Sequence, residues 1–286
     1  MIWHLLGAGS MGSMAACYLQ AAGFRVEALV QDASASVLKR ELTFPSGESV
    51  SLSLAVTSPQ ASSPDITHVL LATKAGQTRA ALAPWLSRLA DDVTLVCLQN
   101  GMGQLDGIDL PPQVRLLPTI TTNGAFRQGE QVRVVAENST FMGDDDAAPD
   151  WFMCLQAHWP GLAWCADLRQ RQLAKLAVNA LINPLTALHR CRNGELLTPS
   201  HYPQLVALAA EVDAILSAMD ATWTCDALVR AEQVATLTAA NTSSMLADVL
   251  AGRATEIAFI NGYLLREAER LGVSAPLNHE LLQRLG

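Results

Sequence analysis

Three polar side chains, Lys175, Asn179 and Asn183, recur every four residues in the segment Gln172-Leu-Ala-Lys-Leu-Ala-Val-Asn-Ala-Leu-Ile-Asn-Pro-Leu-Thr. On an α-helix that spacing sets them in one stripe along one face. The residues between them are almost all apolar, so most of such a helix is buried. A cation and two amides placed there must find partners or cost several kcal/mol. Pro184 would kink the helix and free a carbonyl beside the stripe. Two readings follow. The stripe is a polar seam satisfied by a neighbouring helix, or it faces a ligand. A lysine drawn out of water has a lowered pKa. Such an amine can stabilise an oxygen that gains negative charge and then protonate it.

A second segment bears on that choice. Residues 7–12 read Gly-Ala-Gly-Ser-Met-Gly, between a predicted strand over Ile2–Leu6 and a predicted helix over Met11–Ala22. In that setting GxGxxG is a dinucleotide fingerprint. Gly7 allows the tight turn, Gly9 lets backbone approach a pyrophosphate, and Gly12 lets helix and strand pack closely. The helix start offers unpaired N–H groups to the anion. Gly7, Ala8, Gly9, Ser10, Met11 and Gly12 are therefore cofactor-binding candidates, against the plainer reading of a glycine-rich turn without ligand. A nicotinamide domain upstream favours the ligand-facing reading of the lysine stripe. An NAD site places an acidic residue at the end of the second strand. Here Gln31 is neutral and Asp32 comes one residue late. An NADP site wants a cation for the extra phosphate. Lys74, at the end of the predicted strand His68–Thr73, could supply it, or could be a solvated lysine at a strand end.

The elements that position these groups alternate through the first half. Strands are expected at Ile2–Leu6, Arg25–Val30, His68–Thr73, Val93–Leu98, Arg115–Thr122 and Val132–Ala136. A hairpin is expected over Leu42–Val56, helices over Met11–Ala22 and Gln77–Leu89, and a helix and strand within 150–165. Continuous apolar strands alternating with helices indicate a parallel sheet covered on both faces. From Leu168 onward the pattern is helical: Leu168–Leu188, Tyr202–Met219, Ala227–Ala240, Thr255–Leu271 and a short helix after Pro276. The expected fold is an α/β, Rossmann-type doubly wound domain over 1–167, followed by an all-α substrate domain over 168–286.

Composition narrows the function. The 286 residues are 50% hydrophobic and 16% charged, which excludes a disordered chain. The apolar run Val93–Leu98 is too short for a membrane span. A net charge of −8 argues against a nucleic-acid partner. The six cysteines form no CxxC pair, so no metal site is expected. Scattered thiols and an N-terminus without a signal pattern point to the cytoplasm. The apolar helices of the second half leave room for a homodimer.

The segments GAGSMG, LLATKAGQ (70–77), LQNGMG (98–103), KLAVNALINPLTAL (175–188), NGEL (193–196), NTSSML (241–246) and TEIAFINGYLL (255–265) resemble the ketopantoate reductase (2-dehydropantoate 2-reductase) family, in its order and over nearly the whole chain. The resemblance implies NADPH-dependent reduction of 2-dehydropantoate to pantoate, on the way to pantothenate and coenzyme A. It implies Lys175 as general acid and Glu256 as the residue that positions substrate and lysine. Asn179, Asn183, Asn241 and Ser244 would bind the substrate, with Asn193 a weaker candidate, and Asn100 would stand between nicotinamide and substrate. Lys74 and Gln77 match positions that help bind the adenosine phosphate. The residues alone leave plainer alternatives open. Glu256 could be a first-turn carboxylate, Ser244 part of a cap, Asn100-Gly101 and Asn193-Gly194 ordinary turns. Family members usually carry a basic residue where this chain has Gln31, so NADH stays open beside NADPH. The chain ends soon after Leu285, earlier than many members, which should touch neither loop nor lysine helix. Two rival functions are a reductase of another branched 2-oxoacid and a non-catalytic dinucleotide sensor.

Overall fold

The computed structural model describes residues 1–31, 35–61 and 65–286; Asp32, weighed above for the ribose, lies outside the described residues. The chain divides into two compact units. One comprises Met1–Gln99 and Leu105–Leu168, the other Asn100–Gln104 and Arg169–Gly286.

The first unit is built on strands β1 (Ile2–Leu6), β2 (Arg25–Leu29), β3 (Val37–Thr43), β4 (Ser49–Thr57), β5 (Ile66–Leu71), β6 (Leu89–Cys97), β7 (Arg115–Thr121), β8 (Gly124–Gln128), β9 (Gln131–Ala136), β10 (Thr140–Met142) and β11 (Leu162–Trp164), with helices α1 (Ser10–Ala21), α2 (Thr78–Leu82) and α3 (Asp150–Gln156). Among the described residues these strands form one sheet in the order β11-β10-β7-β6-β5-β1-β2-β4-β3-β9-β8. Its centre, from β7 to β4, is parallel. Antiparallel pairs β3/β4, β8/β9 and β7/β10 extend it on both sides, so the sheet is mixed rather than wholly parallel.

Successive strand residues point to opposite faces, and the core follows that alternation. Leu5, Leu70 and Val96 pack with Met14 and Ala15 of α1. Their neighbours Leu6, Leu71, Leu95 and Cys97 pack with Leu82 and Trp85 on the other face. The doubly covered α/β reading holds. The expected helix Gln77–Leu89 does not survive as one piece. Pro84 has no N–H for the carbonyl of Ala80 and cannot continue α2, so a 3₁₀ stretch, Ala83–Arg88, follows. The short strands β8 and β10 were not foreseen, and the hairpin starts earlier than expected, at Val37.

The second unit is helical: α4 (Leu168–His189), α5 (Tyr202–Met219), α6 (Ala227–Leu237), α7 (Ser244–Leu250), α8 (Asn261–Leu271) and α9 (Pro276–Leu285). Its core joins Leu173, Leu176, Ala177, Ala180 and Leu181 of α4 to Leu205, Leu208, Val212 and Ile215 of α5. The expected single helix Thr255–Leu271 is broken. A 3₁₀ turn, Ile257–Phe259, precedes α8, and the carbonyl of Phe259 accepts a hydrogen bond from the N–H of Met102 at 2.8 Å instead of continuing a helical ladder. Segment Asn193–Leu197 is likewise 3₁₀.

Two histidines on neighbouring strands of the first unit give it an acid limit. His4 of β1 is buried, and the half-buried His68 of β5 lies against the rings of Trp3 and Trp151, which pack edge-on at 4.9 Å. Burial lowers the pKa of both, and for His4 the charge of Glu27 pulls weakly the other way. Unfolding restores the ordinary value of 6.5. The stability from keeping them neutral is present above that pH and is lost as pH falls toward the lowered folded values. Thermal melts should therefore show the transition temperature falling below pH 6.5, with a smaller fall in His4→Leu; equal falls would remove His4 from the effect.

Candidate active site

The glycine loop closes β1 onto α1. Gly7 has φ +107°, and a Cβ there would lie 2.4 Å from the backbone nitrogen of Thr73 at the end of β5. A Cβ on Gly12 would meet the Gly7 carbonyl oxygen at 2.1 Å. Chain geometry thus demands both glycines. Gly9 differs. Its φ is an ordinary −75°, and a Cβ would meet nothing within 4 Å. Neither conformation nor protein packing explains why that side chain is missing. Space for an approaching ligand does. Gly9 caps α1, whose first turn carries no acidic residue and no side-chain cap. Open backbone N–H groups, open space and an uncompensated helix N-terminus fit a pyrophosphate.

Beyond the loop, the end of β6 braces the end of β5. Gln99 donates from Nε2 to the Thr73 carbonyl at 3.0 Å, to Thr73 Oγ1 at 2.8 Å and to Thr78 Oγ1. That brace fixes Lys74, the N-cap of the 3₁₀ turn Ala75–Gln77. Gln77 is exposed at the end of the turn.

In the second unit, Lys175 donates from Nζ to Asn100 Oδ1 at 3.0 Å. Asn100 in turn donates from Nδ2 to Glu256 Oε2 at 3.4 Å. Burial pushes the Lys175 ammonium down from 10.5 to about 8, and the negative charge of Glu256 raises it against that trend. Asn100 owes its place to Gly101. This residue has φ +78°, and a Cβ would lie 2.3 Å from the Phe259 carbonyl oxygen. Only glycine lets that strand of backbone reach the Ile257–Phe259 turn, and Glu256 immediately precedes the turn. An ammonium with a lowered pKa, an amide that orients it and a carboxylate that supports its charge are the parts that a proton donor requires.

Residues 3–147 match the profile of the family described as Ketopantoate reductase PanE/ApbA, and residues 167–286 match that of its C terminal. The chain belongs to the ketopantoate reductase family. It is 33% identical to the 2-dehydropantoate 2-reductase of Vibrio cholerae serotype O1, over 98% of this chain and 95% of the relative. The enzyme of the same name from Archaeoglobus fulgidus is 32% identical over the same shares. The crystal structure of the probable 2-dehydropantoate 2-reductase panE of Bacillus subtilis superposes with a TM-score of 0.84 at 29% identity, covering 100% of this chain and 99% of that one.

The residues matched to the family's pattern divide into several groups. Asn179 and Asn183 share the α4 face with Lys175. Their side-chain amides, and that of Asn241, make no hydrogen bond among the described residues. Asn183 is 9% exposed, and its amide is left available to a ligand on that face. Ser244 is exposed at the first turn of α7. The capping role belongs to its neighbour Ser243, whose Oγ accepts from Leu246 N at 3.1 Å and lies 2.7 Å from Thr186 Oγ1 of α4. Asn193 commits its amide nitrogen to Thr238 Oγ1 at 2.9 Å and its backbone N–H to the Asn241 carbonyl. Glu256 precedes a 3₁₀ turn, not an α-helix, so the plain reading as a first-turn carboxylate fails. Gln31 donates from Nε2 to the Ala80 carbonyl at 3.0 Å, the carbonyl that Pro84 cannot serve.

Sequence reasoning passed over Arg40. It projects inward from β3 and donates from one guanidinium nitrogen to the carbonyl of Ala8 at 3.2 Å, in the glycine loop itself. Its Nε is buried with no partner. The only signal is an inward-facing arginine alternating with Leu38 and Leu42.

Substitutions separate the glycines. Gly9→Val should melt close to the parent protein yet bind dinucleotide about tenfold or more weakly, as read by fluorescence titration. Gly12→Val should fail to fold. A Gly9→Val variant with undiminished binding would dissociate the loop from the cofactor.

Proposed function

We propose that the chain reduces the 2-oxo group of 2-dehydropantoate to the hydroxyl of pantoate, with NADPH as the preferred reductant. The observation that carries this reading is the buried Lys175 ammonium against Asn100, with Glu256 next in line. When bound, the reduced nicotinamide supplies a hydride to the carbonyl carbon. Lys175 does the rest of the addition. It donates a hydrogen bond to the carbonyl oxygen and passes its proton to that oxygen as negative charge builds there. With a pKa of about 8 the amine is mostly protonated at neutral pH and parts with its proton more easily than an ordinary lysine. Solvent returns the proton afterwards. Asn100 fixes the direction of the N–H bonds, and Glu256 keeps the ammonium form accessible in a dry setting. Asn179, Asn183, Asn241 and Ser244 offer the hydrogen-bonding groups that a hydroxyl and a carboxylate require.

The cofactor preference rests on charge. Gln31 is neutral and bonded to α2. Lys74, next to the β5 end against which Gly7 packs, and Arg40, bonded to Ala8, are cations suited to an added phosphate. Localisation follows the small-molecule reading: no helix among the described residues is long and apolar enough to cross a membrane, and the cytoplasm is where such a reductase would meet its substrate.

Steady-state turnover on 2-dehydropantoate beside related 2-oxoacids tests the substrate. Lys175→Ala should lower kcat by ~10²-fold or more while dinucleotide binding survives; an unchanged rate would remove Lys175 from the mechanism. The proton donor must be charged, so kcat/KM should fall as pH rises through about 8. Because Glu256 raises the pKa of Lys175, Glu256→Gln should move that limb to lower pH. For the cofactor, Lys74→Ala and Arg40→Ala should each weaken NADPH more than NADH in binding titrations, and equal weakening would place the phosphate elsewhere.

A further inference from the structure

Pro184 lies inside α4, nine residues past Lys175. It has no N–H for the carbonyl of Ala180, and its ring presses on that oxygen. Ala180 is fully buried, so water does not compensate. The gap is filled from another element. Asn261, the first residue of α8 and 0% exposed, donates from Nδ2 to the Ala180 carbonyl at 2.9 Å. The same nitrogen donates to Asn278 Oδ1 at 2.9 Å. Asn278, on α9, donates from Nδ2 to Glu211 Oε1 of α5 at 2.7 Å, and the Glu211 carboxylate also accepts the backbone N–H groups of Leu277 and Asn278 at 2.9 and 2.8 Å.

The direction of this chain is set by chemistry. The carboxylate accepts, so the NH₂ of Asn278 faces it and the oxygen of Asn278 faces Asn261. That leaves the NH₂ of Asn261 for the carbonyl of α4. An intrahelical hydrogen bond has been exchanged for one between helices. A helix whose ladder was complete would be free to slide or turn against α8. This one is registered to it at a single buried point, one turn beyond Lys175.

Asn261 also begins just after the Ile257–Phe259 turn. That turn follows Glu256, and its Phe259 carbonyl holds the Met102 N–H and so the loop bearing Asn100. We propose that Asn261 is a positioning residue for proton transfer: through the carbonyl orphaned by Pro184 it sets the register of Lys175 against Glu256 and Asn100. The proposal rests on the reading of Lys175 as the proton donor.

The test compares Asn261→Ala, Pro184→Ala and the double variant with the parent. Pro184→Ala returns an N–H to the Ala180 carbonyl, so the double variant repairs that carbonyl without restoring the tie between α4 and α8. Three quantities are measured: kcat and KM with the 2-oxoacid, the dinucleotide Kd, and the pH dependence of Lys175 labelling by an amine-selective reagent, read by mass spectrometry on protein without cofactor. Asn261→Ala should lower kcat about tenfold or more, the scale of a misplaced catalytic group, with Kd unchanged. Its labelling midpoint should rise as water reaches the amine. The double variant should regain stability but keep the lowered kcat and the raised midpoint; recovery of both would make the orphaned carbonyl, not the register, the cause of the losses and would overturn the proposal. If Asn261→Ala does not fold, the double variant carries the test: a folded protein with lowered kcat and raised midpoint supports the proposal, and a double variant that fails to fold, or that has the parental kcat and midpoint, overturns it. A variant that melts lower but keeps the parental kcat and labelling profile makes Asn261 merely structural and overturns it too. Parent protein inert on every 2-oxoacid would instead sink the functional reading, while the labelling profiles would still judge Asn261.

Discussion

The second unit is organised around an ammonium group in an unfavourable place. Burial works against the charge on Lys175 and brings its pKa to about 8. A neutral amide oxygen, that of Asn100, accepts from it at 3.0 Å, and the charge of Glu256 acts in its favour. A fully solvated lysine would hold its proton more tightly, and an unsupported buried one would give it up more readily. The break between the Ile257–Phe259 turn and α8 and the left-handed Gly101 all serve to bring these two partners to one amine.

The same device occurs twice among the described residues. Pro84 and Pro184 each remove the donor for the carbonyl four residues earlier, and a distant amide side chain supplies it: Gln31 for Ala80, Asn261 for Ala180. In the exposed case the bond gives a neutral residue a plain occupation at a position that would otherwise read as a failed cation site. In the buried case no solvent can substitute, and the amide becomes the fixed point on which two helices agree.

Local features were legible in the sequence. The glycine loop, the α4 stripe and the mixed order of strands and helices depend on neighbours a few residues apart, and the structure places them as their spacing implies. Pro184 announced a freed carbonyl, but nothing in the spacing named Asn261, 81 residues from Ala180, as its partner. Asn100 and Glu256 are separated by 156 residues, and only family resemblance joined them to Lys175. Periodicity ran Thr255–Leu271 together as one helix because it cannot see the Met102 N–H that takes the Phe259 carbonyl. Arg40 stayed hidden because an inward arginine in a short strand reads as an irregularity until its guanidinium is seen on the glycine loop.

The loop from Asn100 to Gln104 has a consequence for anyone dissecting the gene. By chain order it joins β6 to β7, yet by packing it belongs with the helices. A fragment begun at the natural-looking boundary near residue 168 would contain Lys175 and Glu256 but omit the oxygen to which that lysine donates. The helical half is therefore incomplete as a contiguous piece of sequence, and a faithful split of this protein would have to graft those five residues back.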